Sequence, residues 1–519
     1  MNVESSRRRL RHRPRTARAL PNRLDDARGA AGPTAARPEG QMSTEHADQT
    51  GELGLLAATA IGVGTMIAAG VFVLSGLAVA NVGAVAVVSF VLAALVGSVT
   101  ALAYAEFATV YPENGGAYTY VYHALDGEWT YLVGWAMSLG YPASAAFYMV
   151  SFSRWTERFL YGIFGVPAWL PGWALGLAVF AGIVALNVLG TKETGVFQIV
   201  VTVLKVALVV VFVYGGLRAW QTDVVVASFA DHATAFGETL STAALVFITF
   251  FGFEAIATNA GEIRDPERTV PKAIFLSIGV VVALYVLVVL SVVFAVNDPA
   301  FVAFLVEHTG LASAANVRSF LAANGELVMG QAAWYFLGRV GFYVVVAGAL
   351  FSMVSATNAT VMAGSRVKQA MARRDQLPSD LADRHRRFDT PYRAVLLTGA
   401  LGAGLFLAFG VLFAQSSPLP AGVPLVGALG VEALTHFADF MLLAGLVGVN
   451  VAVVYSRRKR PDAQRRFEVP LVPWLPAIGA LSTLALLVNV RVESLALGVL
   501  AVAVGVVLQQ LGVTTDGTE

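Results

Sequence analysis

Two short stretches of this chain carry residue types that can bind a small zwitterion. Residues 62–72 read GVGTMIAAGVF and residues 250–254 read FFGFE. Both lie in long apolar runs, and glycine is the poorest helix former after proline. Gly62, Gly64, Gly70 and Gly252 therefore mark places where a helix is interrupted or packs closely on a neighbour. An interrupted helix leaves unpaired N–H groups at the start of one half and unpaired C=O groups at the end of the other. The N–H end carries partial positive charge and suits a carboxylate, while the C=O end suits an ammonium or another cation. A pair of such breaks can clamp both ends of an α-amino acid without a charged side chain. Close helix packing is the competing use of glycine in apolar helices. The matching break beside Glu254, a carboxylate near the centre of its apolar run, favours binding. A third candidate is Lys205, in the middle of TVLKVALVVVFVYGG. A lysine so placed is costly to bury and reads as functional, able to gain and lose a proton during a cycle. A permanently paired or snorkelling lysine is the alternative.

The elements that position these residues follow from composition. Of 519 residues, 57% are hydrophobic and 13% charged, and the mean hydropathy is +0.68. The charges cluster between apolar runs of about 20 residues, the length of a helix across a bilayer. In lipid the backbone must satisfy itself, so these runs form helices. The expected architecture is an all-α integral membrane protein of about twelve spans between residues 54 and 511. The first span, 54–80, and the sixth, 239–260, are the broken ones, and Lys205 lies in the fifth, 195–217. Broken spans five apart point to an inverted repeat, with substrate bound at the breaks. Loops on one side hold eighteen Lys/Arg against six on the other. That bias predicts cytoplasmic N- and C-termini. Residues 1–50, with ten arginines and few large apolar residues, read as a disordered basic tail. Translation from Met42 is an equal alternative. Residues 51–511 form the membrane domain and 512–519 a short cytoplasmic tail.

Several function classes are disfavoured. The net charge of +1 gives no footprint for nucleic acid, and the absence of Cys excludes thiolate metal sites and a Cys nucleophile. No Walker-type GxxxxGK[ST] appears, so the energy source is a gradient or exchange rather than nucleotide hydrolysis. No hydrolase or zinc-protease motif points to an enzyme, and no cofactor or metal is called for. Polar groups are gathered at two breaks rather than in the continuous rings of a channel. Of the remaining polar residues, Glu106 reads as a cap or inner-gate partner. Ser352 and Ser355 read as helix–helix contacts or a cation site, and Asn358 as packing or helix-end chemistry. Glu432, His436 and Asp439 share one face of the tenth span and line a vestibule or pair locally. His123 is placed at the surface, and the basic stretch 366–393 sets topology.

Longer stretches add to this reading. AYAEFATVYPENGGAYTYVYHAL (103–125), FFGFEAIATNAGEIRDPERTVPKAI (250–274), SATNATVMAGSRVKQAMARRDQLP with FDTP (355–378, 388–391) and RRKRPDAQRRFEVPLVP (457–473) follow GVGTMIAAGVF in order. Together they resemble the motifs of the amino acid–polyamine–organocation transporter family, over roughly residues 50–511. The first resembles that family's GxGxxIGxGIF, with Ala68 where the family has glycine. The resemblance implies a LeuT-like fold of two inverted five-helix repeats plus two further helices, in the cytoplasmic membrane. It implies a secondary transporter moving amino acids by alternating access, proton-coupled or sodium-independent. An amino acid exchanger is the alternative, and a non-transporting sensor a more distant one. Carried over by position, Gly64, Ile67, Ala68, Ala69 and Gly70 form the substrate site in the first span. The backbone at Ile67, Ala69 and Gly70 receives the carboxylate. The carbonyls of Ile248, Thr249 and Phe251 receive the ammonium, with Gly252 at the break and Phe253 as a gate. A lysine at the position of Lys205 stands where sodium sits in sodium-coupled relatives. Lys205, with Glu254, is thus the candidate for proton coupling.

Overall fold

The computed structural model describes residues 51–510 apart from 69, 126–127, 164, 166, 168, 233, 310–312, 314–319, 321–324, 414–429 and 488–491. The described residues belong to one unit, Gln49–Glu519. Among them the structure is helical, and the single β contact is a parallel bridge between Leu53 and Ile263.

The first apolar run is divided into α1 (Leu55–Met66) and α2 (Gly70–Val82). The helix leaves αR geometry at Ile67, where φ is −77° and ψ is 71°. A 3-10 turn leads into α3 (Ala86–Val110), and the Gly-rich connection after it contains a short helix, α4 (Ala117–Ala124). Then follow α5 (Glu128–Trp155), α6 (Gly172–Leu189), α7 (Thr191–Arg218) and α8 (Thr222–His232). The second broken run consists of α9 (Phe236–Phe247), a 3-10 turn at Ile248–Phe250, a turn through Gly252, and α10 (Glu254–Thr258). The chain continues as α11 (Pro266–Asn297), α12 (Pro299–Thr309) and α13 (Gly325–Ala372). It ends with α14 (Tyr392–Leu407), α15 (Val431–Lys459), α16 (Trp474–Leu487) and α17 (Val492–Gln510).

Among the described residues, seven helical stretches are long and apolar enough to cross a membrane, and five shorter apolar helices accompany them, α1 and α9 included. Breaking a span is what makes α1 and α9 short. Helix α5 is as long as the spanning set but more polar, with Pro142 in its interior. The fold is thus an all-α, multi-pass membrane protein with its first and sixth spans broken. Large apolar side chains on α1, α7 and α16, such as Leu56, Val200, Val203 and Leu481, face outward. That is the pattern of a bundle solvated by lipid rather than water. The sequence placed the eighth span at 334–362, whereas α13 starts at Gly325 and turns sharply at Gly338, where φ is +70°.

Candidate functional site

The two breaks meet in the middle of the bundle. Gly252 has φ of +142°, a conformation an L side chain rarely adopts. A Cβ there would lie 2.8 Å from the Met66 nitrogen, so only glycine lets the second break press against the first. Gly70 in turn sits against the Thr249 side chain. The hydroxyl of Tyr285 on α11 lies 2.7 Å from the Met66 carbonyl and 3.1 Å from the Thr249 carbonyl, joining the last carbonyls of both half-helices. Its ring packs edge-on to Phe90 and Phe250.

Glu254 opens α10, and its Oε2 accepts the Gly252 N–H at 2.7 Å, an order-giving bond across the unwound turn. Its Oε1 is buried and has no hydrogen-bond partner among the described residues. One turn on, the Thr258 hydroxyl donates to the Glu254 carbonyl at 2.8 Å and lies 3.0 Å from the Tyr141 hydroxyl of α5. Phe253 is 1% exposed and packs edge-on against Tyr104, with centroids 5.6 Å apart.

Lys205 is fully buried and reaches the first break from α7. Its Nζ donates to the carbonyls of Gly64 at 2.6 Å and Ile67 at 2.8 Å, and to Ser355 Oγ of α13 at 3.2 Å. The ammonium thus fills an oxygen cage built from a broken helix end and a hydroxyl. Around it runs a polar chain that the sequence did not reveal. Gln198 donates to Ser355 Oγ at 2.8 Å, Asn358 to Gln198 Oε1 at 2.9 Å, and Asn187 to Asn358 Oδ1 at 3.0 Å. Thr202 donates to the Ala60 carbonyl at 3.1 Å. Gly64 is small for this reason, because a Cβ would collide with the Gln198 amide. Asn358 and Ser355 therefore belong to the lysine's surroundings rather than to simple helix packing.

The expected carboxylate donors need correction. The Ile67 N–H is already committed to the Val63 carbonyl at 2.9 Å, and the Ala68 N–H to the Met66 carbonyl at 2.8 Å. Ile67 caps the C-terminal end of α1, so it offers its carbonyl to Lys205 and not its amide to a substrate. Amides without a partner one turn earlier belong instead to the first turn of α2, which begins at Gly70. Ala69 lies outside the described residues. The Thr249 carbonyl takes the Tyr285 hydroxyl and keeps one lone pair.

Away from the breaks, two carboxylates tie down the basic loops. Glu106 accepts Nε and Nη2 of Arg457, at 3.0 and 2.7 Å, the Arg465 Nε at 3.1 Å and the Val469 N–H at 2.7 Å. Glu262 pairs with Arg366 at 3.0 Å and Arg384 at 3.4 Å. Part of the stretch 366–393 is thus built into the bundle. His123 is not simply at the surface: its ring stacks on Tyr111 at 4.2 Å, and its Nε2 lies 2.7 Å from Glu113 Oε1. That hydrogen bond, joined by Arg374, holds the Glu113 carboxyl below the usual carboxylate range.

A family model described as Amino acid permease matches residues 53–507, nearly the whole described chain. The chain belongs to the amino acid permease family. Among similar proteins is the branched-chain amino acid permease BcaP of Bacillus subtilis, 29% identical over 84% of this chain and 88% of that protein. Another is the serine/threonine exchanger SteT of the same organism, 27% identical over 84% of this chain and 90% of that protein. A BcaP from Lactococcus lactis is 29% identical over 82% of this chain and 86% of that protein. The permease is an amino acid transporter and not an enzyme, and its paired breaks are the place in the fold where backbone groups of both signs converge.

Proposed function

We propose that this permease carries a neutral amino acid across the cytoplasmic membrane by alternating access, coupled to protons through Lys205. The substrate carboxylate docks on the first-turn amides of α2 at Gly70, and its ammonium on the carbonyls of Ile248, Thr249 and Phe251. The observation that carries this reading is the Lys205 ammonium lodged on the Gly64 and Ile67 carbonyls and Ser355 Oγ. Those three oxygens are the kind a sodium ion needs, and the ammonium already occupies them. A proton leaving Nζ removes the charge that draws these oxygens together, so the hold of α7 and α13 on the first break loosens. Protonation is thereby tied to the shape of the binding segment. The two BcaP relatives, named for branched-chain substrates, support an apolar side chain. The Lys/Arg bias supports cytoplasmic termini.

A second reading, obligatory exchange, is favoured by the likeness to a serine/threonine exchanger. Purified permease in proteoliposomes separates the two. A thermal-shift screen of the twenty amino acids names the substrate, and its uptake is then followed with an imposed pH gradient. Accumulation driven by the gradient into empty vesicles supports symport. Uptake only with amino acid inside supports exchange and overturns proton coupling.

A further inference from the structure

The second buried lysine has a different task. Pro142 lies inside α5 and has no N–H, so the carbonyl one turn earlier, on Ser138, has no helical donor. Ser138 is 3% exposed, and an unpaired carbonyl in such a place is costly. Lys368 of α13, 1% exposed, supplies the missing donor, with Nζ 2.6 Å from the Ser138 oxygen. Among the described residues no carboxylate pairs with Lys368. The seam around it is tight. One turn before Lys368, a Cβ on Gly364 would stand 2.9 Å from the Tyr141 Cβ, and just beyond it Met371 packs on Gly134. Thus 364, 368 and 371 of α13 run antiparallel to 141, 138 and 134 of α5. Tyr141, between the orphaned carbonyl and the proline, reaches Thr258 on α10, the half-helix that follows the second break.

We propose that Lys368 is a positioning residue for transport, a tethered donor that replaces the amide missing at Pro142. It fixes the proline-containing segment 138–142 of α5 against α13 and so sets where Tyr141 meets α10. The ammonium touches no substrate. It acts by keeping this stretch of α5 in place while the breaks change shape.

The test exploits the fact that the defect Lys368 corrects can be removed. Pro142→Ala returns an N–H to the Ser138 carbonyl and makes the lysine dispensable. Uptake of radiolabelled leucine into proteoliposomes is compared for wild type, Lys368→Met, Lys368→Gln, Pro142→Ala and the double variant Pro142→Ala/Lys368→Met. Lys368→Met lowers the maximal rate about tenfold with KM little changed, because it strands a buried carbonyl. Lys368→Gln, which keeps an N–H donor, retains more of the rate. The double variant recovers to within about threefold of Pro142→Ala alone, a coupling that only paired sites show. The proposal is overturned if Lys368→Met transports like wild type, or if the double variant stays at the level of Lys368→Met. Thermal unfolding of the same set needs no substrate, so it judges the inference even if leucine is not carried. There Lys368→Met is the least stable and Pro142→Ala restores it. If Lys368→Met yields no folded protein, the double variant must restore folded yield, and failure to do so overturns the proposal.

Discussion

Two lysines, Lys205 and Lys368, are buried in this bundle, and both give their ammonium to backbone carbonyls rather than to carboxylates. Their settings differ. Lys205 meets two carbonyls and a hydroxyl at a helix that has come apart, next to a second broken helix. Lys368 meets one carbonyl in a helix that stays continuous through a proline. A helix that opens exposes groups of both signs and leaves room for a ligand. A helix that only lacks one amide at a proline exposes one acceptor, which a single side chain can fill. The comparison teaches that a buried lysine held by carbonyls, unlike Arg366 with its Glu262 carboxylate, marks a defect in backbone pairing. The size of the defect tells whether the site serves binding or positioning.

Variants at the open site break or sharpen this contrast. The largest effect is expected at Gly252. Gly252→Ala places a methyl 2.8 Å from the Met66 nitrogen at a φ of +142°, so the breaks no longer meet. Substrate-induced thermal shift should vanish in that variant. Retention of a normal shift would separate the two breaks functionally. Next is Tyr285→Phe, which keeps the ring against Phe90 and Phe250 but removes the hydroxyl shared by the Met66 and Thr249 carbonyls. Loss of about 1–1.5 kcal/mol should lower kcat/KM roughly tenfold. Ala68→Gly is smaller. It loosens the first break by about 1 kcal/mol of added chain freedom, and titration should show affinity preserved or weakened severalfold. Complete loss of binding would place the substrate elsewhere.

The smallest effect lies outside the bundle. The His123 hydrogen bond and Arg374 hold Glu113 below its ordinary value of 4.5. A carboxylate with a lowered folded value stabilises the protein fully above its unfolded value and loses that contribution as pH falls through the folded one. Glu113→Gln should therefore melt slightly lower at neutral pH, with the gap closing in acid. Exposure keeps the effect modest. A gap that widens in acid would reverse the sign.

Much of this was legible in the sequence. Glycines at 64, 70 and 252 and the lone Lys205 mark the breaks, because apolar runs make any helix breaker or charge conspicuous. The end of α1 at Ile67 depends on tertiary bonds, the Lys205 ammonium on its carbonyl among them, which no local pattern encodes. For the same reason the Ile67 amide was assigned to substrate while its local helix had already taken it. Gln198, Asn187 and Asn358 come together across 160 and 171 positions of sequence, a proximity no local pattern encodes. Lys368 was hidden differently. It stands among the basic residues of 366–393, where charge reads as topology, and only its contact with a proline-freed carbonyl sets it apart. The short helices α4, α8 and α12, of 8, 11 and 11 residues, are too brief to show a periodic signal in the sequence.

The central claim is that the cation at the first break is also the coupling group. Lys205→Ala should remain folded and saturable in substrate exchange, since the amides of α2 and the carbonyls of Ile248–Phe251 are intact. The measurement is accumulation of the identified amino acid in proteoliposomes under an imposed proton gradient, wild type against Lys205→Ala. Accumulation in wild type with exchange but no accumulation in the variant is the predicted result. Undiminished accumulation by Lys205→Ala under the same gradient would contradict it.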